Sequence, residues 1–287
     1  MLYAAETYVN RCKELGVAPI QSFYERAGAV EVADGTYTIS PVQFPVMPLT
    51  PPQFNAMLDS MRVMHTLTRL IITGIDPSLW TQPCAEALAG VLDRNTCLRT
   101  LDLHGSHLGD PEGLVIAGAL ATNGSLRVLD LSDCDFGPMV LQKCAKALVS
   151  NQTLVSLDLS RNPGLARSPF VSPALGAALS VNRTLTRLRL SCASSSMRTL
   201  FRAIQRSEVT SLALCHAQLP FGTLSALALA LVPPLSPCRP KVPNENEKGE
   251  ERTPPRMSGL WKTLCGEAFP TRRWVKRCPE RSPRPSL

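Results

Sequence analysis

Aromatic residues make up only 5% of this 287-residue chain, and charged residues only 18%. Long apolar runs are missing as well. The longest, Ala226 to Leu235, contains Pro233 and Pro234 and is about half of the roughly 20 residues that a membrane-spanning helix needs. The opening Met1-Leu-Tyr-Ala-Ala-Glu has no basic start followed by an apolar stretch, so no signal peptide is expected, and secretion and membrane insertion are both disfavoured. The ten cysteines lack a Cys-x-x-Cys pair and any Cys/His clustering at zinc-ligand spacing. A reduced, intracellular chain with buried thiols and no metal or other cofactor is the expectation. A Gly-rich phosphate loop, a His-Glu-x-x-His string and a serine elbow are absent too, which argues against an enzyme.

Proline, at 25 residues, and net charge, at +7, are plentiful but unevenly placed. Residues 231–287 hold 12 Lys/Arg against 6 Asp/Glu, together with 11 of the prolines. The remainder is nearly neutral. A boundary is therefore expected near Leu231, with a Pro-rich, basic and largely disordered tail over 233–287.

What fills the rest is a repeat. The string Leu-x-x-Asn-x-x-Leu-x-x-Leu-x-Leu recurs from Leu92, Leu120, Leu148 and Leu179. Its asparagines, Asn95, Asn123, Asn151 and Asn182, are 28, 28 and 31 residues apart. Weaker copies stand at Leu67-Leu70-Ile72 and Val209-Leu212-Leu214. The Leu-x-Leu pair alternates with period two, as a strand with one buried face does. A helix-period stretch follows, as in Leu114, Ala117, Leu120. One strand and helix cannot bury their apolar faces alone, but stacked neighbours can. The repeated asparagine falls where the chain turns back toward the strand, so a left-handed helix-terminating residue is expected there. Asn123-Gly-Ser, Asn151-Gln-Thr and Asn182-Arg-Thr also match the glycosylation pattern, which the repeat itself generates.

Asn95-Thr-Cys-Leu-Arg-Thr-Leu-Asp-Leu and Asn151-Gln-Thr-Leu-Val-Ser-Leu-Asp-Leu resemble the leucine-rich repeat superfamily in its long, ribonuclease-inhibitor-like class. The resemblance spans about residues 67–232. It implies an α/β solenoid, with a curved parallel sheet on the concave side and helices on the convex side. In that family an Asn or Cys three residues after the final strand leucine ties the turn to neighbouring backbone. Cys134 and Asn162 match this; Ser106 and Ala193 depart from it, and less regular turns are expected there.

Residues 1–66 read as a helical N-terminal cap with a partial repeat. A helix is expected from Tyr3, a second from Gln21 to Arg26, a strand at Tyr37-Thr-Ile-Ser, and a helix over Pro51 to Met64. Tyr8-Val-Asn-Arg-Cys-Lys-Glu-Leu-Gly16 looks somewhat like the start of leucine-rich proteins of the centrosome and cilium. A cytoplasmic location, with the nucleus as alternative, is the matching expectation. After Leu231 the period stops at Pro233-Pro234-Leu-Ser-Pro237, as in a shortened form of a longer array.

Strand residues that do not enter the core should form the concave face. Asp102, Asp130 and Asp158 then make an acidic ladder, bordered by Arg187 and Arg189, with His104 and Ser132 two residues beyond their aspartates. Such a face selects a partner of complementary charge. Asp102, His104 and Ser132 supply neither a buried, oriented base nor an oxyanion site for catalysis. His65, His107 and His216 read as ordinary surface or packing residues. The favoured function is a non-catalytic protein–protein interaction scaffold using the concave face and rim loops, among them the loop from Asn162 to Ser172. Two alternatives stand beside it. One is a nuclear or nucleic-acid-associated regulator working through Arg272, Arg273, Lys276 and Arg277 of the tail. The other is an enzyme inhibitor in the manner of ribonuclease inhibitor.

Overall fold

The Leu-x-Leu pairs become neighbouring strands of one parallel sheet in the computed structural model, which describes residues 3–28, 35–40, 49–191 and 197–215. Its elements in chain order are α1 (Tyr3–Glu14), α2 (Gln21–Gly28), β1 (Thr36–Ile39), α3 (Pro51–Met61), β2 (Arg69–Ile72), α4 (Gln82–Arg94), β3 (Thr100–Asp102) and α5 (Gly109–Leu120). They continue with β4 (Val128–Asp130), α6 (Pro138–Ser150), β5 (Ser156–Asp158), α7 (Gly164–Arg167), α8 (Val171–Val181), β6 (Arg187–Ser191), α9 (Met197–Gln205) and β7 (Ser211–Cys215). The strands lie in sequence order, each paired with the next. The helices α3, α4, α5, α6, α8 and α9 pack side by side as a second layer. The basic tail cluster, Ala193 and His216 lie outside the described residues.

Register explains why the repeat is so strict. Tyr37, Leu70, Leu101, Leu129, Leu157, Leu188 and Leu212 form one lateral row, and all are buried. Leu103, Leu131, Leu159 and Leu190 are buried beside them, and Ala117, Ala145 and Ala178 supply small buried helix positions. Each leucine so placed contributes roughly 1.5–3 kcal/mol against its ordering entropy. A slip of one residue would exchange the core and solvent faces of a strand.

The repeated asparagine does not work as expected. Asn95, Asn151 and Asn182 have extended backbones, with φ of −79°, −71° and −71°. Their side chains are buried and carry the function instead. Asn151 Nδ2 donates to the carbonyls of Leu120 (2.8 Å) and Asn123 (3.0 Å) in the preceding repeat. Its Oδ1 accepts from the backbone N–H of Thr153 (3.0 Å) and Leu154 (2.9 Å). Asn95 and Asn182 make the same set of contacts, and Asn123 a closely related one. The turn leaves backbone groups without sheet or helix partners, and a buried group of that kind must find one. An amide side chain offers both donor and acceptor, so it serves two repeats at once. The same engagement leaves no amide nitrogen for a glycan at Asn123, Asn151 or Asn182.

A second ladder runs through the turns that leave the strands. Cys134 Sγ donates to Leu103 O (3.2 Å) and Asn162 Nδ2 to Leu131 O (2.8 Å). Ser106 was expected to break this series, yet its hydroxyl donates to Ile72 O at 2.9 Å. One donor reaching back one repeat is all the position requires, and serine supplies it.

At the N-terminal end, α1 packs against α3, and α2 packs against α1. Tyr8 is fully buried, stacked edge-on against Phe23 with ring centroids 4.7 Å apart, and its hydroxyl accepts from Ile20 N (2.8 Å). Asp59 joins Arg11 (2.7 Å) and Arg62 (2.6 Å), tying α1 to α3. Pro51 occupies the first turn of α3, and Gln53 accepts from the backbone N–H of Thr50 (3.2 Å), closing its start. In the longer third unit, the loop expected over Asn162–Ser172 contains α7. Gly164 lies against the backbone of Gly137 and Pro138, and Phe170 points outward, 71% exposed.

Candidate interaction surface

Parallel register places Asp102, Asp130, Asp158, Arg189 and Ala213 in one row across β3 to β7. The expected acidic ladder is therefore continuous, and Arg189 meets its end, with Nη1 at 3.3 Å from Asp158 Oδ2. Arg187 stands in the row before, exposed, beside Ser156 and Ser211.

Half of each carboxylate belongs to the scaffold. Asp102 Oδ1 accepts from the backbone N–H of His104 (3.1 Å). Asp130 Oδ1 accepts from the N–H (2.9 Å) and hydroxyl (2.6 Å) of Ser132, and Asp158 Oδ1 does the same with Ser160 (2.9 and 2.6 Å). These are local turns closed by an aspartate two residues ahead. Asp158 and Ser132 are buried, while Asp102, Asp130 and His104 are half-buried. The row is a shallow polar stripe, less open than the alternation alone implies.

Stacking carboxylates on adjacent strands has an electrostatic consequence. The Asp130 carboxyl is raised above the ordinary range, first by burial and then by the charge of Asp158; bonds from Ser132 act the other way.

His104 Nδ1 lies 2.9 Å from Ser132 Oγ, so the histidine and serine do meet across β3 and β4. The contacts around the pair differ from those of a nucleophilic triad, in which a carboxylate orients the histidine ring. The serine hydroxyl gives its proton to Asp130, and Asp102 holds the backbone of His104 instead of its ring.

His107 is less isolated than the sequence implies. Its Nδ1 is 2.7 Å from Asp135 Oδ2 on the rim of the next repeat. Both residues have positive φ, 47° and 60°, and they stand at the same repeat position, 28 residues apart. That spacing would have found the pair. The same holds for Arg99 and Arg127, which sequence reasoning passed over. Among the described residues, no group of three or more His, Cys, Asp or Glu is arranged to hold a metal ion.

A family model described as Leucine Rich repeat matches residues 94–115, 122–138 and 150–165. These segments are leucine-rich repeats. The matched segments carry the asparagine turns, the β3–β5 strands and the start of the helices that follow them. No curated protein matches the chain as a relative. Among solved structures, leiomodin-1 actin-binding site 2 is similar at 21% identity, over 45% of this chain and 76% of that one, with a TM-score of 0.39. The tropomodulin C-terminal domain of Caenorhabditis elegans is similar at 15% identity, over 70% of this chain and 92% of that one, with a TM-score of 0.41. Likenesses this distant name no partner for this chain.

Proposed function

We propose that this leucine-rich repeat protein is a non-catalytic interaction scaffold that takes a protein partner on its sheet face and rim loops. The observation that supports it is the polar row fixed by register: aspartate on β3, β4 and β5, then arginine on β6. The second oxygens of Asp102 and Asp130 make no hydrogen bond among the described residues, so charge remains available to a partner. A change of sign along one stripe selects both the partner and its direction. His104 at one end, with Arg187 and Arg189 at the other, belongs to the same stripe.

The cytoplasmic setting expected from the sequence belongs to the same proposal. Cys12, Cys84, Cys97, Cys134 and Cys144 are free thiols, and burial pushes Cys144 up to about 12, where it is inert.

Asparagine at positions 102, 130 and 158 keeps the Oδ1 acceptor for each turn while removing the charge. Proximity labelling in cells with this triple variant, compared with the parent and with a chain lacking 233–287, tests the proposal. Loss of specific neighbours in the triple variant supports it. An unchanged set in the triple variant, with loss only on removing 233–287, would transfer the function to the basic tail.

A further inference from the structure

All strands of a parallel sheet enter at one edge, so every helix-to-strand turn of this protein lies along that edge, and every strand-to-helix turn along the other. The two edges differ in charge. The entering edge carries Arg69, Arg94, Arg99, Arg127, Arg183 and Arg187, all exposed. Its acids are Asp93 and Glu208, the latter 3.9 Å from Arg183. The leaving edge carries Asp76, Asp110, Glu112, Asp133 and Asp135, interrupted by Arg161 and Arg167. A nearly neutral repeat body therefore has a basic side, densest at the turns before β2, β3 and β4.

Two of these arginines are held in place there. Arg99 Nη1 donates to Thr96 O (2.7 Å) and reaches Ser125 O in the next turn (3.2 Å). Arg127 Nη1 repeats the move onto Thr153 O (3.1 Å). One nitrogen of each guanidinium is fixed on backbone, and the rest of the fork has no partner among the described residues. Arg69 lies one row further along its strand, paired laterally with Thr100, the residue after Arg99. Adjacent strands are about 4.8 Å apart, so Arg99 and Arg127 follow one another at that interval along the edge, with Arg69 in the neighbouring row. A preset guanidinium fork matches a carboxylate well.

We infer that this edge binds an extended acidic segment of another polypeptide, laid across the strands over Arg69, Arg94, Arg99 and Arg127. A run of Asp or Glu can meet one fork per strand. Nucleic acid fits less well. Asp102 and Asp130 stand three residues along the strands from Arg99 and Arg127, about 10 Å away, and a duplex whose major groove alone is about 12 Å wide would lay phosphates over them. The proposed contact uses none of Asp102, Asp130, Asp158, Arg187 or Arg189, the charged groups of the sheet-face reading, although Arg69 stands in the lateral row that ends at Arg187.

The test is binding of a fluorescent oligoglutamate peptide to the full chain, with Arg272, Arg273, Lys276 and Arg277 changed to Ser so that the tail does not compete. The parent should bind at low salt and weaken as salt rises. Changing Arg69, Arg94, Arg99 and Arg127 together to Gln should weaken binding about tenfold or more; changing them to Lys should keep it within about threefold. The double change Arg69→Gln/Arg94→Gln removes no hydrogen bond, so it should keep the parent melting temperature and still lose about threefold. Changing Asp102, Asp130 and Asp158 to Asn should leave or raise affinity, which separates this edge from the sheet-face reading. Absent binding by the parent, or equal binding by the Gln variants, would overturn the inference. So would tighter, edge-dependent binding of a single-stranded RNA of equal charge.

Discussion

Replacing Asn151 with alanine removes four hydrogen bonds to backbone at once from a side chain that is 1% exposed. The carbonyls of Leu120 and Asn123 and the N–H groups of Thr153 and Leu154 lose their partner, and the fold gives water little room to replace it. Each bond contributes about 0.5–1.5 kcal/mol net, and a buried group left unsatisfied costs about 1–3 kcal/mol. Allowing for partial relaxation, the total is roughly 4 kcal/mol. Urea unfolding followed by circular dichroism measures it, with Gln152→Ala as control; Gln152 is exposed one residue away and should change stability by no more than about 0.5 kcal/mol. Hydrogen exchange should show the loss centred on the amides of Thr153 and Leu154, with β1 and α1 little affected, because repeats couple chiefly to their neighbours. A loss below about 1 kcal/mol for Asn151→Ala would refute the reading that these asparagines hold successive repeats together.

Two further perturbations probe the charge row and the closest backbone approach. Because the Asp130 carboxyl is raised in the folded state, the native protein holds that proton more tightly than the unfolded chain. Stability from this group is present below the ordinary carboxylate range and is lost as pH rises through the raised folded value. Asp130→Asn should therefore raise the melting temperature at pH 7, with the gain shrinking toward pH 4; an equal or lower melting temperature at pH 7 counts against burial and the neighbouring charge as the cause. At Gly164, an added Cβ would run into the backbone of Gly137 and Pro138. Gly164→Ala should destabilise by about 1–3 kcal/mol in the same urea assay, since backbone has nowhere to yield; no measurable change would mean α7 is not seated there.

Burial and period were legible in the chain itself. Leu101, Leu129, Leu157 and Leu188 announce their common row by spacing alone, because side-chain direction in a strand alternates and an apolar spine must repeat in step with it. The Asp102–Asp130–Asp158 row was legible for the same reason. The work of individual polar atoms was not. Spacing placed Asn151 at a turn but did not distinguish a left-handed terminator from an extended residue bonding two repeats. It likewise made Ser106 look like a defect, although any side chain with one donor suffices there.

The sequence by itself determined that this is a stacked array, how its strands register and which residues it buries, since those follow from short-range periodicity and the need to hide leucine from water. Only the tertiary structure decided how each aspartate oxygen is divided between turn and surface, which groups meet at the Ser132 hydroxyl, and that arginines from separate repeats gather along one edge. Those outcomes depend on atoms brought together from positions about thirty residues apart, and hydrogen-bond direction and electrostatic neighbourhood are set by that three-dimensional arrangement.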